Sequence, residues 1–144
     1  MGQINMGRVI GGGLLAGLVM NISEFILHGV VLKTDGKQLM EEWNRLGLHV
    51  SEDPKFLGVL VGVTFLLGIL AVWTYAAIRP RFGAGPKTAI IAGLAVWAMS
   101  YFYYGVCEYA AIQVIPAKLT WCPVVWTLFE VPIATMAGAW LYKE

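Results

Sequence analysis

The stretch FLGVLVGVTFLLGILAVWTYAAI, residues 56–78, decides the fold class of this protein. It runs for 23 residues without an Asp, Glu, Lys, Arg or His, and a helix needs about 20 apolar residues to cross a bilayer. Three more apolar stretches of similar length occur at 9–32, 88–115 and 119–142. The chain is 58% hydrophobic and 13% charged, with a mean hydropathy of +0.70, which excludes a water-facing globular domain.

These four spans account for most of the chain. A bilayer core offers no partner for open backbone groups, so each span is predicted to be a helix. Short connections such as 116–118 predict antiparallel neighbours. The longest segment outside the spans, 33–55, is too short to form a second domain. We therefore predict one all-α transmembrane domain, residues 1–144, folded as an integral membrane four-helix bundle.

A shorter helix is predicted between spans one and two, over about 37–47. Leu39, Trp43, Leu46 and Val50 recur at helical spacing, while charged residues occupy the other faces. This pattern is typical of an amphipathic helix that lies in the membrane interface with Trp43 as its anchor. A helical lid packed on the mouth of the bundle is the alternative interpretation.

The charged residues bear on the class of partner and, weakly, on the orientation of the spans in the membrane. The net charge of +1 does not indicate nucleic-acid binding. Lys and Arg near the span ends divide equally, with Arg8, Arg79, Arg81, Lys87 and Lys143 on the side of the termini and Lys33, Lys37, Arg45, Lys55 and Lys118 on the other. Three of the first set crowd the tight 79–87 loop, which favours cytoplasmic termini.

Small residues four apart mark the predicted helix-packing faces. Such spacing stacks small side chains on one helix face and lets two backbones approach closely. The pairs could pack within the chain or against a neighbouring subunit. They are Gly13 and Gly17 in span one, Gly58 and Gly62 in span two, and Ala134 and Gly138 in span four.

Four ionisable side chains lie inside the predicted spans, where an isolated charge costs about 3 kcal/mol and normally faces the bundle interior. Helical spacing and depth predict that Glu24, His28 and Glu108 lie at one level, with Glu130 one or two turns deeper. Asn21 and Tyr104 fall on the same predicted polar stripes. The cluster is a candidate proton, ion or ligand site.

Three kinds of chemistry remain open for this cluster. Glu24, His28 and Glu108 could ligate a divalent metal, although the paired Glu-x-x-His spacing of di-iron bundles does not occur. Adjacent carboxyl and imidazole groups could instead pass protons. In the simplest interpretation, Glu24 bonds His28, Glu108 bonds the hydroxyl of Tyr104 or Tyr101, and the polar core fixes helix register.

Aromatic residues form a second candidate surface. Trp97 and Tyr101 in span three, together with Trp126 in span four, could line a flat pocket for a quinone-like or lipid molecule. Ordinary core packing explains the same residues. No cofactor is predicted outright, and lipid, quinone and divalent metal are the open alternatives. No catalytic triad, phosphate-binding loop or zinc-protease motif occurs, which favours a non-catalytic protein.

The run GLVMNISEFILHG at 17–29, followed by Trp43, Gly47 and three further spans, resembles a group of small bacterial membrane proteins of unknown function. The resemblance implies four spans and a bacterial inner membrane. We expect a small non-catalytic membrane protein that associates with itself or with other membrane subunits. The alternatives are a proton-coupled carrier or channel that uses the Glu/His cluster, and a binder of a quinone-like or lipid ligand.

Overall fold

The computed structural model describes residues 4–48, 53–112 and 114–142. Within these ranges the regular structure is entirely helical, and no strand occurs. Two of the helices contain a π-helical segment, in which the hydrogen bonds run from i to i+5. In chain order the elements are α1 (Met6–Ile26), π1 (Leu27–Val31), α2 (Lys33–Arg45), α3 (Pro54–Phe82), α4 (Pro86–Trp97), π2 (Ala98–Phe102), α5 (Tyr103–Ala111) and α6 (Ala117–Leu141).

Four helical segments are long and apolar enough to cross a membrane: Met6–Val31, Pro54–Phe82, Pro86–Ala111 and Ala117–Leu141. The prediction of four such helices is confirmed, with bounds that differ by a few residues. The third span ends at Ala111 rather than at 115, because Ile112 leaves helical geometry with φ −115° and ψ 85°. Pro116 then caps α6, and a proline disfavours helical geometry in the residue before it.

The short helix predicted over 37–47 is observed as α2, which begins at Lys33 directly after π1. No residue of α2 is fully buried. Of the predicted apolar face, Leu39 and Trp43 are half-buried, as is Met40 beside them, but Leu46 is 63% exposed because it lies beyond the last turn of α2. Val50, the last residue of that pattern, and Lys143 lie outside the described residues.

The helices pack most closely in the half of the molecule that carries the chain termini. There α1 packs against α3 and α6, and α4 packs against α6 and α3. The core includes Val9, Met20, Val72 and Val131, none of which has exposed surface. In the other half α3 buries no residue before Gly68, and α5 buries only Gly105. α3 therefore leaves the core toward the end that carries α2, whereas α6 still buries Thr120, Val124 and Thr127 there.

Glycine explains the close contact between α1 and α3. A Cβ atom on Gly68 would lie 2.5 Å from the carbonyl oxygen of Gly13 and 2.8 Å from Cα of Gly17. Gly13 and Gly17, both predicted as packing residues, therefore form a notch that receives Gly68. By contrast, a Cβ on Gly58 or Gly62 would meet no atom within 4 Å. That predicted pair does not pack against the rest of the described chain.

The span-four pair lies inside the core. Ala134 has no exposed surface. A Cβ on Gly138 would meet the Gly12 carbonyl at 2.5 Å and the Ala16 side chain at 3.1 Å. Both residues lie in the half of α6 that packs closely on α1.

Candidate functional site

A hydrogen-bonded chain of three side chains connects the first and third spans. The Tyr101 hydroxyl donates to Oε1 of Glu24 at 3.0 Å. The other carboxylate oxygen of Glu24 lies 3.1 Å from Nδ1 of His28, one helical turn further along the first span. The Glu24 side chain is 20% exposed and that of His28 is 61% exposed. The chain therefore runs from the helix interface toward the surface.

Both ends of this chain involve π-helical segments. His28 lies in π1, and Tyr101 lies in π2. A π turn contains one extra residue, so the side chains after it rotate by roughly 100° relative to a regular helix. Such turns often occur at functional sites. Here one π turn carries His28 and the other carries Tyr101, the two side chains that bond Glu24.

Tryptophan side chains fix α6 against its neighbours beside this chain. Trp126 Nε1 donates to the Ser23 hydroxyl at 2.8 Å, which links α6 to α1. Trp97 Nε1 donates to the backbone carbonyl of Val124 at 3.0 Å, which links α4 to α6. The indole N–H groups of both residues, like the hydroxyl of Tyr101, thus already donate hydrogen bonds within the protein. The idea that they line a pocket for a quinone or lipid stays a prediction.

Glu130 on α6 is the most unusual residue of the site. It is 5% exposed, and neither carboxylate oxygen has a hydrogen-bond partner among the described residues. The Ser23 hydroxyl and the Trp126 indole lie close enough to favour the carboxylate although neither meets hydrogen-bond geometry with it, and Glu24 and His28 lie within electrostatic range. Its carboxyl group is therefore enclosed between α6 and the first span, next to the hydrogen-bonded series of His28, Glu24 and Tyr101.

Glu108 does not join this cluster, contrary to the prediction from helical spacing. Its Oε1 accepts a 3.2 Å hydrogen bond from Tyr104, whose side chain is largely exposed. Both residues follow π2, and the extra residue of the π turn rotates them away from the stripe calculated for a regular helix. The Asn21 amide donates to the Gly17 carbonyl of its own helix at 2.8 Å.

The predicted metal ligands are consequently not brought together. Glu24 and His28 meet, but Glu108 bonds Tyr104 instead. Across residues 4–48, 53–112 and 114–142, no three His, Cys, Asp or Glu side chains are grouped closely enough to hold a metal ion. The arrangement offers carboxyl, imidazole and phenol groups in series, a set suited to passing protons.

A groove of about 530 Å³ opens beside the exposed end of the chain. His28 lines it together with residues of α2 and with Leu119 at the start of α6. Near this groove, Lys118 forms an ion pair with Asp35, with Nζ 2.8 Å from Oδ2 and 2.9 Å from Oδ1. This pair ties α2 to α6.

Two parts of the site were not predicted from the sequence. Ser23 was missed because its neighbour Glu24 was placed on the polar stripe, and Ser23 points about 100° away from it. The signal available was the indole of Trp126, since a buried indole N–H usually finds an acceptor. The groove was missed because it forms only where α2 folds back beside Leu119.

Comparison with known proteins gives no assignment: no family model, no curated protein and no solved structure matches the chain. The resemblance to small bacterial membrane proteins therefore stays a prediction. Any function assigned to the chain must rest on the geometry of its buried polar groups.

Proposed function

We propose that this chain is a non-catalytic integral membrane protein that moves protons through a buried acidic site, as a carrier or channel. It would lie in a bacterial inner membrane as a four-helix bundle with both termini cytoplasmic. One observation carries the functional proposal: the Glu130 carboxyl group is buried without a hydrogen-bond partner in the described chain, next to a polar chain that leads outward.

The physical reason is the energy of a buried charge. A carboxylate that loses water without gaining a well-formed hydrogen bond costs several kcal/mol, so a bound proton, a cation or a buried water must compensate it. Glu24 and His28 lie within electrostatic range of Glu130, and His28 reaches the groove at the α2 end. They supply stepwise positions for a proton between the groove and the interior.

A proton leaving Glu130 toward the side of the termini would have to cross closely packed residues. On the side of the termini, Val131 and Met20 are fully buried in the apolar core, and Gly12 contacts Gly138 closely enough that neither position has room for a Cβ atom. The polar groups lie toward the α2 end. Transport to the other side would require these helices to separate, as in alternating access.

Proton flux in liposomes tests the proposal. Purified protein in vesicles with an entrapped pH dye should acidify the lumen under an imposed potential. Glu130→Gln and Glu24→Gln should abolish this flux while the protein still folds. Glu108→Gln is the matched control, because it removes an intraspan carboxylate outside the site and should leave flux unchanged. Equal flux in all three variants, or none in the wild type, would overturn the proposal.

Self-association, alone or with other membrane subunits, is the second candidate function. The observation that favours it is the first half of α3, which buries no residue before Gly68. A neighbouring subunit would cover this apolar surface. Single-molecule photobleaching of labelled protein in lipid bilayers tests the idea. A stable dimer or higher state supports it, and a monomer at all protein densities contradicts it.

A further inference from the structure

The groove at the α2 end is lined by basic residues that take no part in the proposed proton site. Two lysines line it, Lys33 and Lys37, which lie one helical turn apart on α2. Neither forms an ion pair with the part of the chain that the structure describes, whereas Lys118 nearby is neutralised by Asp35. Glu41 is the acidic residue on the groove wall. The groove therefore carries a net positive charge with two ammonium groups available.

The position of the groove matches the headgroup level of a bilayer. It lies where the first span ends at Val31 and the fourth begins at Ala117. Its wall includes apolar side chains, among them Leu32, Met40 and Leu119. Next to it on π1, Val30 is 70% exposed and Val31 is 44% exposed. A molecule in the groove could thus place an anionic group against the lysines and a hydrocarbon chain along π1.

We propose that this groove binds the phosphate headgroup of an anionic phospholipid, held by Lys33 and Lys37. Basic pockets at the ends of transmembrane helices suit such headgroups, because the charge attraction adds to burial of the lipid chain. The inference rests on the proposed membrane insertion but not on proton movement. It also gives α2 a specific role, since both lysines belong to that helix.

Native mass spectrometry of the full chain tests this site with phosphatidylglycerol and phosphatidylcholine of identical acyl chains. The wild type should bind phosphatidylglycerol more tightly. Each lysine near a membrane surface contributes enough attraction that the Lys33→Gln, Lys37→Gln double variant should bind it about 20-fold more weakly. The control double variant, Lys55→Gln with Lys87→Gln, loses the same charge elsewhere and should bind as the wild type does.

Two further measurements distinguish binding of the lipid headgroup from damage to the fold and from binding of a free anion. Glu41→Gln removes the opposing charge and should tighten phosphatidylglycerol binding, a gain that damage to the fold would not produce. Inorganic phosphate alone should not displace the lipid at millimolar concentration, and if it does, a free anion is the ligand and the lipid proposal is wrong. Equal binding of both lipids, or equal losses in the two double variants, also overturns it. Proton flux can fail or persist independently of these outcomes.

Discussion

Replacing Gly68 by alanine should weaken the contact between α1 and α3, unlike the same change at Gly58 or Gly62. The new Cβ would lie 2.5 Å from the Gly13 carbonyl oxygen and 2.8 Å from Cα of Gly17. Carbon atoms attract best at about 3.5–4.0 Å, so the two helices would have to separate by roughly 1 Å. A gap of that size forfeits a quarter to a half of each contact's attraction, and overpacking of this kind costs about 1–3 kcal/mol.

The free energy of unfolding in mixed detergent micelles measures this cost, with tryptophan fluorescence reporting the transition. Gly62→Ala is the matched control, since its Cβ would meet no atom within 4 Å. We expect that control to stay within about 0.5 kcal/mol of the wild type. If both variants lose the same free energy, the loss comes from the helix itself and the packing argument is refuted.

Four other substitutions test three separate contacts. Tyr101→Phe and Glu24→Leu, combined in a double-mutant cycle of unfolding, should couple by about 0.5–1.5 kcal/mol, and additive effects would show that their hydrogen bond does not form. Gly93→Ala places a methyl group against the backbone of α6 and should cost about 1–3 kcal/mol, measured by unfolding in the same micelles. Lys118→Gln breaks the exposed ion pair with Asp35 and should cost at most about 1 kcal/mol, an effect that must shrink as salt is added.

Span number and the Glu24 to His28 contact could be predicted because each depends on local information. About 20 apolar residues in a row have few alternatives to a transmembrane helix. Residues four apart on a helix face each other whatever surrounds them, and Glu24 and His28 do so even though π1 begins between them. The bond from Tyr101 to Glu24 is different, since it depends on how α1 and π2 are placed relative to each other.

Glu108 shows why helix faces assigned at 100° per residue are wrong beyond a π turn. The sequence from Ala98 to Phe102 carries no glycine or proline that would announce an irregular helix. The calculated stripe joined Trp97 on one side of π2 to Glu108 on the other as if the helix were regular. Because one extra residue turns the helix by roughly 100°, Trp97 stays at the α6 interface while Glu108 moves away from the site.

The glycines show a similar limit of spacing as a guide to helix packing. A pair of glycines four apart forms a notch in one helix, and what fills the notch on the partner helix can be a single small residue. Gly13 and Gly17 form such a notch, and Gly68, which fills it, has Thr64 and Val72 at the same spacing on either side. A search for matched pairs therefore selects Gly58 and Gly62 on α3, where no partner within the described chain exists.

The same geometry explains why the acidic site lies where α3 begins to leave the core. Close backbone contact between α1, α3 and α6 leaves no room for a carboxyl group, so Glu24 and Glu130 can lie only beyond the glycine contacts. Toward α2 the helix α3 leaves the core, and polar side chains connect α1 to π2 and α6. Segments held by few buried contacts open at lower cost than a packed core. A change in the charge of Glu24 or Glu130 would thus act on the part of the molecule that is easiest to move, which is what a proton-driven change of access requires.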